Sequence, residues 1–346
     1  MKIPVGVLGA TGMVGQHFVK FLQNHPQFEL TWVGASDRSA GKKYRDATSW
    51  RLDGTMPETT ADLTVEECKP GTAPKLVFSA TDASVATEIE QAFATAGHMV
   101  VSNSRNHRMD EDVPLLVPEV NPHHLSVAAQ QKQTRGWDGQ IVTNPNCSTI
   151  VLTMALGPLV QFGIQRIVVT TLQAISGAGY PGVPSMDITA NVVPYIGGEE
   201  EKMQIETQKI LGSVQGNKIV PLAAKVSAHC NRVPVVDGHL VTVSVEFANK
   251  PTLADIRNAF DTFRGKPQHL NLSSAPARPV IYMEQLDRPQ PRRDVERERG
   301  MAVFTGRLRE CPVFDYKFIA LGHNTVRGAA GAAVLNAELM HAEGLL

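Results

Sequence analysis

Cys147 is the cysteine whose sequence setting best suits nucleophilic chemistry. It stands in NPNCST, between an apolar segment typical of a strand, residues 140–143, and an apolar run typical of a helix, residues 150–159. This layout predicts a strand-to-helix turn with Cys147 at the helix N-terminus, where free N–H groups and the helix dipole favour a thiolate. Such a thiolate could form a thioester, and N–H groups beside it could stabilise an oxyanion. The remaining cysteines have no comparable setting, and we expect them to be structural: Cys68, Cys230 and Cys311.

A base for this thiol has to come from a distant part of the chain. His239 follows the tight turn VDG and opens an apolar strand, and Arg232 precedes that turn in CNRVPVVDGH. A hairpin would bring the two side chains to one end of a sheet, where the arginine could hold a carboxylate and the histidine could transfer a proton. His229 competes with His239 for the role of base, and spacing alone does not decide between them.

A glycine motif, GATGMVG, follows the first apolar strand and opens a helix. Its glycines are Gly9, Gly12 and Gly15. Glycines permit a tight turn, a close approach of the backbone to a diphosphate and close helix packing, while the helix N-terminus offers N–H groups to the phosphates. The spacing is GxxGxxG rather than GxGxxG, so a glycine-rich turn without a ligand is the alternative interpretation.

The segment GASDRSAGKKY, about 20 residues after Gly15, bears on which dinucleotide would bind. An NAD site typically has an acidic residue here that holds the ribose 2′-hydroxyl, whereas hydroxyls and a guanidinium suit a 2′-phosphate. Ser36, Arg38 and Ser39 therefore favour NADP, and Asp37 is the residue that disagrees.

The elements that must position these residues differ between the two halves of the chain. Apolar runs alternating with amphipathic stretches in the first half are typical of an open parallel sheet with helices on both sides. The second half has longer strand patterns with fewer helices between them, which favours a mixed sheet. We therefore predict an α/β protein with an N-terminal Rossmann-type dinucleotide-binding domain, residues 1–146, and a second α+β domain, residues 147–324. The C-terminal helix, residues 325–346, is expected to return to the first domain.

The sequence patterns give approximate bounds for these elements. The predicted strands are 3–8, 29–35, 75–80, 98–102, 140–143, 166–174, 218–222, 239–247, 279–283, 301–305 and 315–321. The predicted helices are 13–24, 83–96, 150–159, 253–263 and 325–342. Residues 274–297, dense in Pro and Arg, are predicted to form a surface loop or inserted arm.

Composition narrows the class of protein. A chain of 346 residues suggests about two domains at roughly 150 residues each. With 42% hydrophobic residues, 33 Lys+Arg and 34 Asp+Glu, the chain is neither disordered nor basic enough for a general affinity for nucleic acid or anionic membrane. Its sequence has no CxxC pair or Cys/His cluster for a metal, and no run with the roughly 20 apolar residues of a membrane span. We expect a cytoplasmic protein without a bound metal.

Together, these segments resemble one known family. Eight of them stand in the order and approximate spacing found in the aspartate-semialdehyde dehydrogenases, most like the branch of archaea and fungi: GATGMVGQ, ASDRSAGKKY, SNSRNHRM, NPNCST, LQAISGAGYPG, EEEKMQIETQKIL, CNRVPVVDGH and GHNTVRGAAGAA. The resemblance implies reversible, NADPH-dependent reduction of L-4-aspartyl phosphate to L-aspartate 4-semialdehyde and phosphate. That reaction lies on the route from aspartate to lysine, threonine, methionine and isoleucine.

The resemblance also implies catalytic roles. Cys147 matches the nucleophile that forms a thioester, and His239 matches the acid/base group, which decides against His229. Gln173, in LQAISGAG, matches a glutamine that orients the acyl intermediate.

A second set of residues matches the family's substrate ligands. Arg232 matches the ligand of the substrate carboxylate, and Glu199 and Lys202 match groups that bind the substrate amino group and the phosphate. Arg108 matches the phosphate-binding arginine, and Asn146 lies beside the nucleophile in the same site. Which of the three consecutive glutamates 199–201 contacts the substrate stays open.

The cofactor site implied by the resemblance includes the glycine turn, the end of the third strand pattern, the segment after Gln173 and the start of GHNT. Its residues are Gly9, Thr11, Gly12, Met13, Val14, Gly15, Ser36, Arg38, Ser39, Ser79, Ala80, Thr81, Ser176, Gly177, Gly179 and Asn324. The family's second domain carries the subunit interface, so we expect a homodimer or homotetramer.

Related enzymes and non-catalytic homologues are the alternatives. Malonyl-CoA reductases and N-acetyl-glutamyl-phosphate reductases share this fold and mechanism, but a coenzyme A thioester has no α-amino group for Glu199 to hold. A protein that only bound NADP would have no need of Cys147, His239 and Arg232 together.

Overall fold

Two six-stranded sheets form the frame of the molecule, which the computed structural model describes over residues 2–346. The first sheet contains β1 Ile3–Leu8, β2 Phe28–Ala35, β3 Val65–Glu67, β4 Leu76–Ser79, β5 Met99–Ser102 and β6 Gln140–Thr143. The chain then forms β7 Ile164–Gln173, β8 Ser213–Gln215, β9 Lys218–Val220, β10 Lys225–Arg232, β11 His239–Phe247, β12 Val280–Met283, β13 Val303–Glu310 and β14 Tyr316–Gly322. Strands β8 and β9 pair only with each other, and the other six form the second sheet.

The α-helices connect and cover these sheets. They are α1 Met13–Leu22, α2 Tyr44–Ala47, α3 Glu58–Ala61, α4 Ala83–Thr95, α5 Gln131–Arg135, α6 Cys147–Leu156, α7 Ser185–Ile188, α8 Glu199–Ile210, α9 Leu253–Thr262, α10 Lys266–His269, α11 Pro291–Asp294 and α12 Gly331–Ala342. Short 3-10 segments occupy Pro122–Gln130, Gly157–Phe162, Ile175–Ala178 and Arg297–Gly300, and a π-helical turn occupies Val326–Ala330.

The first sheet is entirely parallel, with strand order β3-β2-β1-β4-β5-β6. This is the order of dinucleotide-binding folds, in which the chain reverses its direction of travel across the sheet between β1 and β4. Helices lie on both faces, so central strand residues such as Val5, Val7 and Phe78 are fully buried. The predicted Rossmann-type domain is confirmed, while the boundary at residue 146 stays a prediction.

The second sheet is mixed, as predicted, with strand order β10-β7-β11-β14-β13-β12. Strand β7 runs parallel to β10 and antiparallel to β11. The hairpin expected between β10 and β11 is therefore absent, because β7 lies between them. The end of β10, the end of β7 and the start of β11 still meet at one edge of the sheet.

Helix α8 was not among the sequence predictions. Its sequence, EEEKMQIETQKI, has no apolar stripe, because the buried face carries Glu199, Glu206 and Lys209 besides Met203 and Ile210. Periodicity of apolar residues is the main helix signal, and it fails where a helix buries charged groups.

The prediction of a surface loop over residues 274–297 is wrong for two parts of that segment. Strand β12, which agrees with the predicted strand 279–283, forms the edge of the second sheet, and Val280 within it is fully buried. Asp294 is also fully buried, where it accepts hydrogen bonds from the Arg288 guanidinium and the Gln290 backbone N–H. Asp294 and Arg288 thus form an ion pair within the segment. Arg288 is one of the arginines whose density predicted a solvated loop.

The C-terminal helix α12 returns to the first sheet, where it packs against α1 and β5. Glu338 on α12 accepts hydrogen bonds from His25 Nε2 at 2.9 Å and from the Ser274 backbone N–H at 3.0 Å, with all three residues buried. One carboxylate therefore joins the first domain, the second domain and the C-terminal helix. Across residues 2–346, no helix combines the length and apolarity that crossing a membrane requires.

Removal of the Glu338 carboxylate should lower the free energy of unfolding. Glu338→Ala leaves the His25 ring and the Ser274 N–H without their buried acceptor, which costs about 1–3 kcal/mol for each donor. We expect the urea unfolding midpoint, followed by far-UV circular dichroism, to fall clearly below that of the wild type. Glu88→Ala removes an exposed glutamate from the middle of α4 and should leave the midpoint nearly unchanged. Equal midpoints for the two variants would contradict the role assigned to Glu338.

Candidate active site

Three adjacent strands of the second sheet bring three predicted site residues together at one edge. Gln173 ends β7, Arg232 ends β10 directly opposite it, and His239 opens β11 on the other side of β7. All three are buried. His229, the competing histidine, is exposed on β10, so the fold brings His239 and not His229 to this edge.

Cys147, which follows β6 of the first sheet, lies at the same place. It is the first residue of α6, and Asn146 caps the helix by accepting hydrogen bonds from the Ser148 N–H at 3.0 Å and the Thr149 N–H at 3.3 Å. Cys147 Sγ lies 3.2 Å from His239 Nε2. On the other side of Cys147, a Cβ atom placed on Gly328 would lie only 2.7 Å from Cys147 Cβ, so this position in the π-helical turn requires glycine.

The peptide groups of Ala174 orient both His239 and Arg232. The Ala174 N–H donates to His239 Nδ1 at 3.1 Å, and the Ala174 carbonyl accepts from Arg232 Nη1 at 2.8 Å. A backbone N–H can only donate, so Nδ1 of the neutral imidazole carries no proton and Nε2 carries it. His239 therefore presents an N–H donor to the sulfur of Cys147.

The charge state of this pair differs from the sequence prediction. Burial, reinforced by the Glu199 carboxylate, raises the pKa of the Cys147 thiol to about 12. Burial, followed by the positive charge of Arg232, lowers the pKa of His239 to about 3. Both pKa directions favour the neutral forms, a thiol and an imidazole, and therefore argue against the expected resting thiolate.

Helix α8 supplies the charged groups around Cys147. Glu199 accepts from Asn146 Nδ2 at 2.8 Å and from Gln173 Nε2 at 3.3 Å, and it forms an ion pair with Lys202 at 2.9 Å. Burial acts to raise the pKa of Glu199, but Lys202 and the two amides outweigh it and hold that pKa below its usual value. Glu199 is thus a carboxylate that faces the site.

The neighbouring glutamates of α8 face elsewhere. Glu200 accepts from the Cys230 backbone N–H at 3.0 Å, and Glu201 is exposed. Among residues 199–201, the helix therefore directs only the first toward Cys147.

Arg108 is held beneath the start of α6. Its Nη1 donates to Glu206 at 2.9 Å, its Nη2 donates to the Asn103 carbonyl at 2.8 Å, and its Nε is buried without a partner. Glu206 was not among the residues predicted from the sequence. It lies seven residues, about two helical turns, after Glu199, so the helical repeat would have placed the two carboxylates on one face had α8 been predicted.

The glycine turn opens on a cavity of about 650 Å³, which Gly9, Thr11, Gly12, Ser36, Asp37, Ala80 and Thr81 help to line. Gly9 has φ +72°, and a Cβ on Gly15 would lie 2.3 Å from the Gly9 carbonyl oxygen, so the tight turn needs both glycines. A Cβ on Gly12 would meet only that oxygen, at 3.5 Å, and would project into open space at the N-terminus of α1. These features fit a diphosphate approached closely by the backbone.

The other predicted cofactor residues fall into three groups. Arg38 is exposed and Ser39 half-buried in the turn after β2, where Asp37 accepts from the Arg38 N–H. Ser79 Oγ lies 2.9 Å from Thr81 Oγ1, at the end of β4. The third group surrounds or leads to a second cavity, of about 590 Å³, lined in part by Met13 and Ser176.

This second cavity adjoins the Cys147–His239 pair through the 3-10 segment after β7. Asn324 Nδ2 donates to Ser176 Oγ at 2.7 Å, and its Oδ1 accepts from the Gly238 N–H. A Cβ on Gly177 would lie 3.0 Å from both Arg232 Nη1 and His239 Cε1, so this segment closes over the pair. Val14 is half-buried on α1, and Gly179 has open space around it.

Comparisons with known proteins agree with this arrangement. Two family models match: "Semialdehyde dehydrogenase, NAD binding domain" over residues 4–128 and "Semialdehyde dehydrogenase, dimerisation domain" over residues 156–327. The chain is 51% identical over 344 residues to the aspartate-semialdehyde dehydrogenase of Methanothermobacter thermautotrophicus, covering 98% of this chain and 99% of that protein. It is 48% identical over 359 residues to that of Candida albicans, covering 99% and 98%.

A solved structure is similar over its whole length. The crystal structure of aspartate-semialdehyde dehydrogenase with NADP from Candida albicans superimposes with a TM-score of 0.93 at 46% identity, covering 100% of both chains.

The position of Cys147 at a helix N-terminus suggests that it is the most reactive cysteine, but the pKa values predict that Cys311 reacts first. Partial burial of Cys311 acts against ionisation, but hydrogen bonds from the Phe314 and Val313 backbone N–H groups hold its pKa below the usual value. Because thiolates alkylate and thiols do not, iodoacetamide at pH 7.5 should label Cys311 before Cys147. Peptide mass spectrometry over time measures both rates, and Cys311→Ser should leave the Cys147 rate unchanged. Faster labelling of Cys147 would show that the helix N-terminus prevails over burial.

Proposed function

The chain belongs to the aspartate-semialdehyde dehydrogenase family, and on that premise we propose that it reduces L-4-aspartyl phosphate to L-aspartate 4-semialdehyde with NADPH, reversibly, through a thioester on Cys147. The observation that carries this proposal is the 3.2 Å contact between Cys147 Sγ and His239 Nε2, with Arg232 held beside them. A nucleophile, a proton donor and a carboxylate ligand then converge on one acyl group. The product would feed the synthesis of lysine, threonine, methionine and isoleucine.

Binding of the substrate uses charges of both signs. The Arg232 guanidinium is the ligand for the α-carboxylate, and the Glu199 carboxylate binds the α-amino group. Lys202 and Arg108 hold the phosphate. A coenzyme A thioester would leave Glu199 without a cationic partner from the substrate, which favours the aminoacyl phosphate over malonyl-CoA.

Thioester formation releases phosphate. Cys147 Sγ attacks the acyl carbon, the C–S bond forms, and the C–O bond to the phosphate breaks. The thiol proton leaves on the phosphate as hydrogen phosphate, because His239 cannot accept it. Nε2 already carries a proton, and the remaining lone pair of the ring, on Nδ1, accepts from the Ala174 N–H. The phosphate is thus both leaving group and proton acceptor.

Reduction of the thioester then regenerates the enzyme. NADPH supplies the hydride when it is bound. His239 Nε2–H donates to the oxygen of the tetrahedral intermediate on sulfur, where it stabilises developing negative charge. As the carbonyl reforms, sulfur leaves as a thiolate and takes a proton from water, which is the proton that the overall reaction consumes.

The preference for NADP over NAD rests on the turn after β2. Ser36, Arg38 and Ser39 provide hydroxyls and a positive charge for a 2′-phosphate, against the single carboxylate of Asp37. The glycine turn and the cavity of about 650 Å³ in front of it support a bound dinucleotide. The related Candida albicans structure is described as containing NADP.

A homodimer or homotetramer is the proposed assembly. The matching dimerisation-domain model supports it, and so do large apolar side chains exposed on the segment after the catalytic edge: Tyr180, Met186, Val192 and Tyr195. Apolar residues grouped on a surface are typical of subunit contacts.

The decisive experiment is an assay of semialdehyde oxidation. With NADP and phosphate, the wild type should form NADPH from L-aspartate 4-semialdehyde. Cys147→Ala should fold and bind NADP but lose essentially all turnover, because no thioester can form. Substantial activity in that variant would assign the nucleophile elsewhere. A rate with malonyl-CoA and none with the semialdehyde would assign the chain to a different reaction.

Arg232 and His239 should fail in different ways. Arg232→Lys cannot form two parallel N–H···O bonds to the carboxylate, so kcat/KM for the semialdehyde should fall roughly tenfold to a hundredfold. His239→Asn removes the Nε2–H donor and should lower kcat by about 10² to 10⁴ with KM nearly unchanged. His229→Asn is the control and should match the wild type in steady-state kinetics. Loss of kcat in the His229 variant alone would show that the donor is misassigned.

A further inference from the structure

Glu206 is a buried carboxylate that the proposed chemistry leaves unused. It lies on α8 with only 2% of its surface exposed. Its Oε1 accepts from Arg108 Nη1 at 2.9 Å, and its Oε2 accepts from the Asn146 backbone N–H at 2.7 Å. One side chain therefore contacts both the phosphate-binding arginine and the residue directly before the nucleophile.

On the Arg108 side, Glu206 fixes the direction of the guanidinium. Nη1 is held by Glu206 and Nη2 by the Asn103 carbonyl, so the planar group cannot rotate without breaking one of these bonds. The Nε–H of Arg108 is buried and has no partner in the protein. Lys209, one turn further along α8, donates to the carbonyls of Arg108, Asp110 and Val113 and holds the same loop.

On the nucleophile side, Glu206 fixes the start of α6. Asn146 is held at its backbone N–H by Glu206 and at its side-chain amide by Glu199, while its Oδ1 caps the helix. Displacement of Asn146 would move Cys147 against His239 and Gly328, where there is no spare room. A shift of about 1 Å at a reacting atom is enough to slow a reaction strongly.

We infer that Glu206 is a positioning residue that couples the phosphate site to the nucleophile, holding Arg108 with one oxygen and the N-terminus of α6 with the other. The inference rests on the proposed function, because it needs phosphate to bind at Arg108 and Cys147 to react. Both oxygens are required. A carboxylate accepts at both positions, whereas an amide has one accepting oxygen and an NH₂ group that repels the second donor.

The test separates the two halves of the reaction in the direction of semialdehyde oxidation. A stopped-flow burst of NADPH without phosphate reports the reaction of Cys147, and the KM for phosphate in steady state reports the phosphate site. Glu206→Ala should slow the burst and raise the phosphate KM, each by about tenfold to a hundredfold, with the semialdehyde KM within twofold of the wild type. Glu206→Gln should impair at least one of the two, according to which donor its oxygen keeps.

Two controls distinguish coupling from general damage. Glu201→Gln removes a charge from an exposed position of the same helix and should match the wild type in both measurements. Arg108→Gln should raise the phosphate KM without slowing the burst, and adding Glu206→Ala to it should raise that KM little further, because both act through one guanidinium. The inference would be overturned if the two substitutions multiplied their effects on the phosphate KM in the double variant. It would also be overturned if Glu206→Ala kept the burst rate and the phosphate KM of the wild type.

A readout without turnover keeps this result apart from the proposed function. Inorganic phosphate should slow alkylation of Cys147 at pH 9 in the wild type and protect Glu206→Gln less well. Absence of NADPH formation by the wild type would count against the proposed function. If the wild type turns over but phosphate protects both proteins equally and the Glu206→Gln burst is normal, the inference about Glu206 alone is wrong.

Discussion

The contact between Cys147 and His239 is the constraint on which the rest of the structure depends, because the two residues come from different sheets. Cys147 follows the last strand of the parallel sheet, and His239 opens a strand of the mixed sheet. A sulfur and a ring nitrogen 3.2 Å apart require the seam between the sheets to be fixed to within a few tenths of an ångström. Burial at this seam raises the pKa of the Cys147 thiol and lowers that of the His239 imidazole, so it favours the neutral form of both groups.

Buried ion pairs fix this seam together with the apolar packing of α6 against β11, β13 and β14. Arg327, in the π-helical turn beside Cys147, donates two hydrogen bonds to Glu119, and neither residue is exposed. Glu206 and Glu338 hold other parts of the seam. Buried pairs of this kind add little net stability compared with apolar residues, but losing one partner is costly, so they select one arrangement of the elements strongly over others.

The sequence was informative wherever function depends on a local pattern. The strand and glycine turn predict the dinucleotide fold, because parallel strands buried on both faces and a turn that needs glycine leave clear signals. The positions of Cys147 at a helix start and of His239 at a strand start also follow from local pattern. The choice between His239 and His229, however, required either the family resemblance or the fold, since both residues flank the same turn.

What the sequence could not predict arises from long-range burial. Insertion of β7 between β10 and β11 depends on pairing between segments about 60 to 80 residues apart, for which no local signal exists. Burial of Cys147 by the assembled domains raises the pKa of its thiol, and the local pattern of a helix start does not reveal that burial. Helix α8 was not predicted because its buried face is charged, and Glu206 was therefore not predicted either.

Ala174 orients His239 and Arg232 through its main chain alone. Its N–H sets the tautomer of His239 and its carbonyl holds Arg232, while its methyl group only fills buried space. Side-chain replacement cannot delete either bond, and among the common amino acids only proline lacks the N–H. The tautomer of His239 and the position of Arg232 therefore depend on the backbone at residue 174 and, proline excepted, not on the hydrogen-bonding chemistry of its side chain.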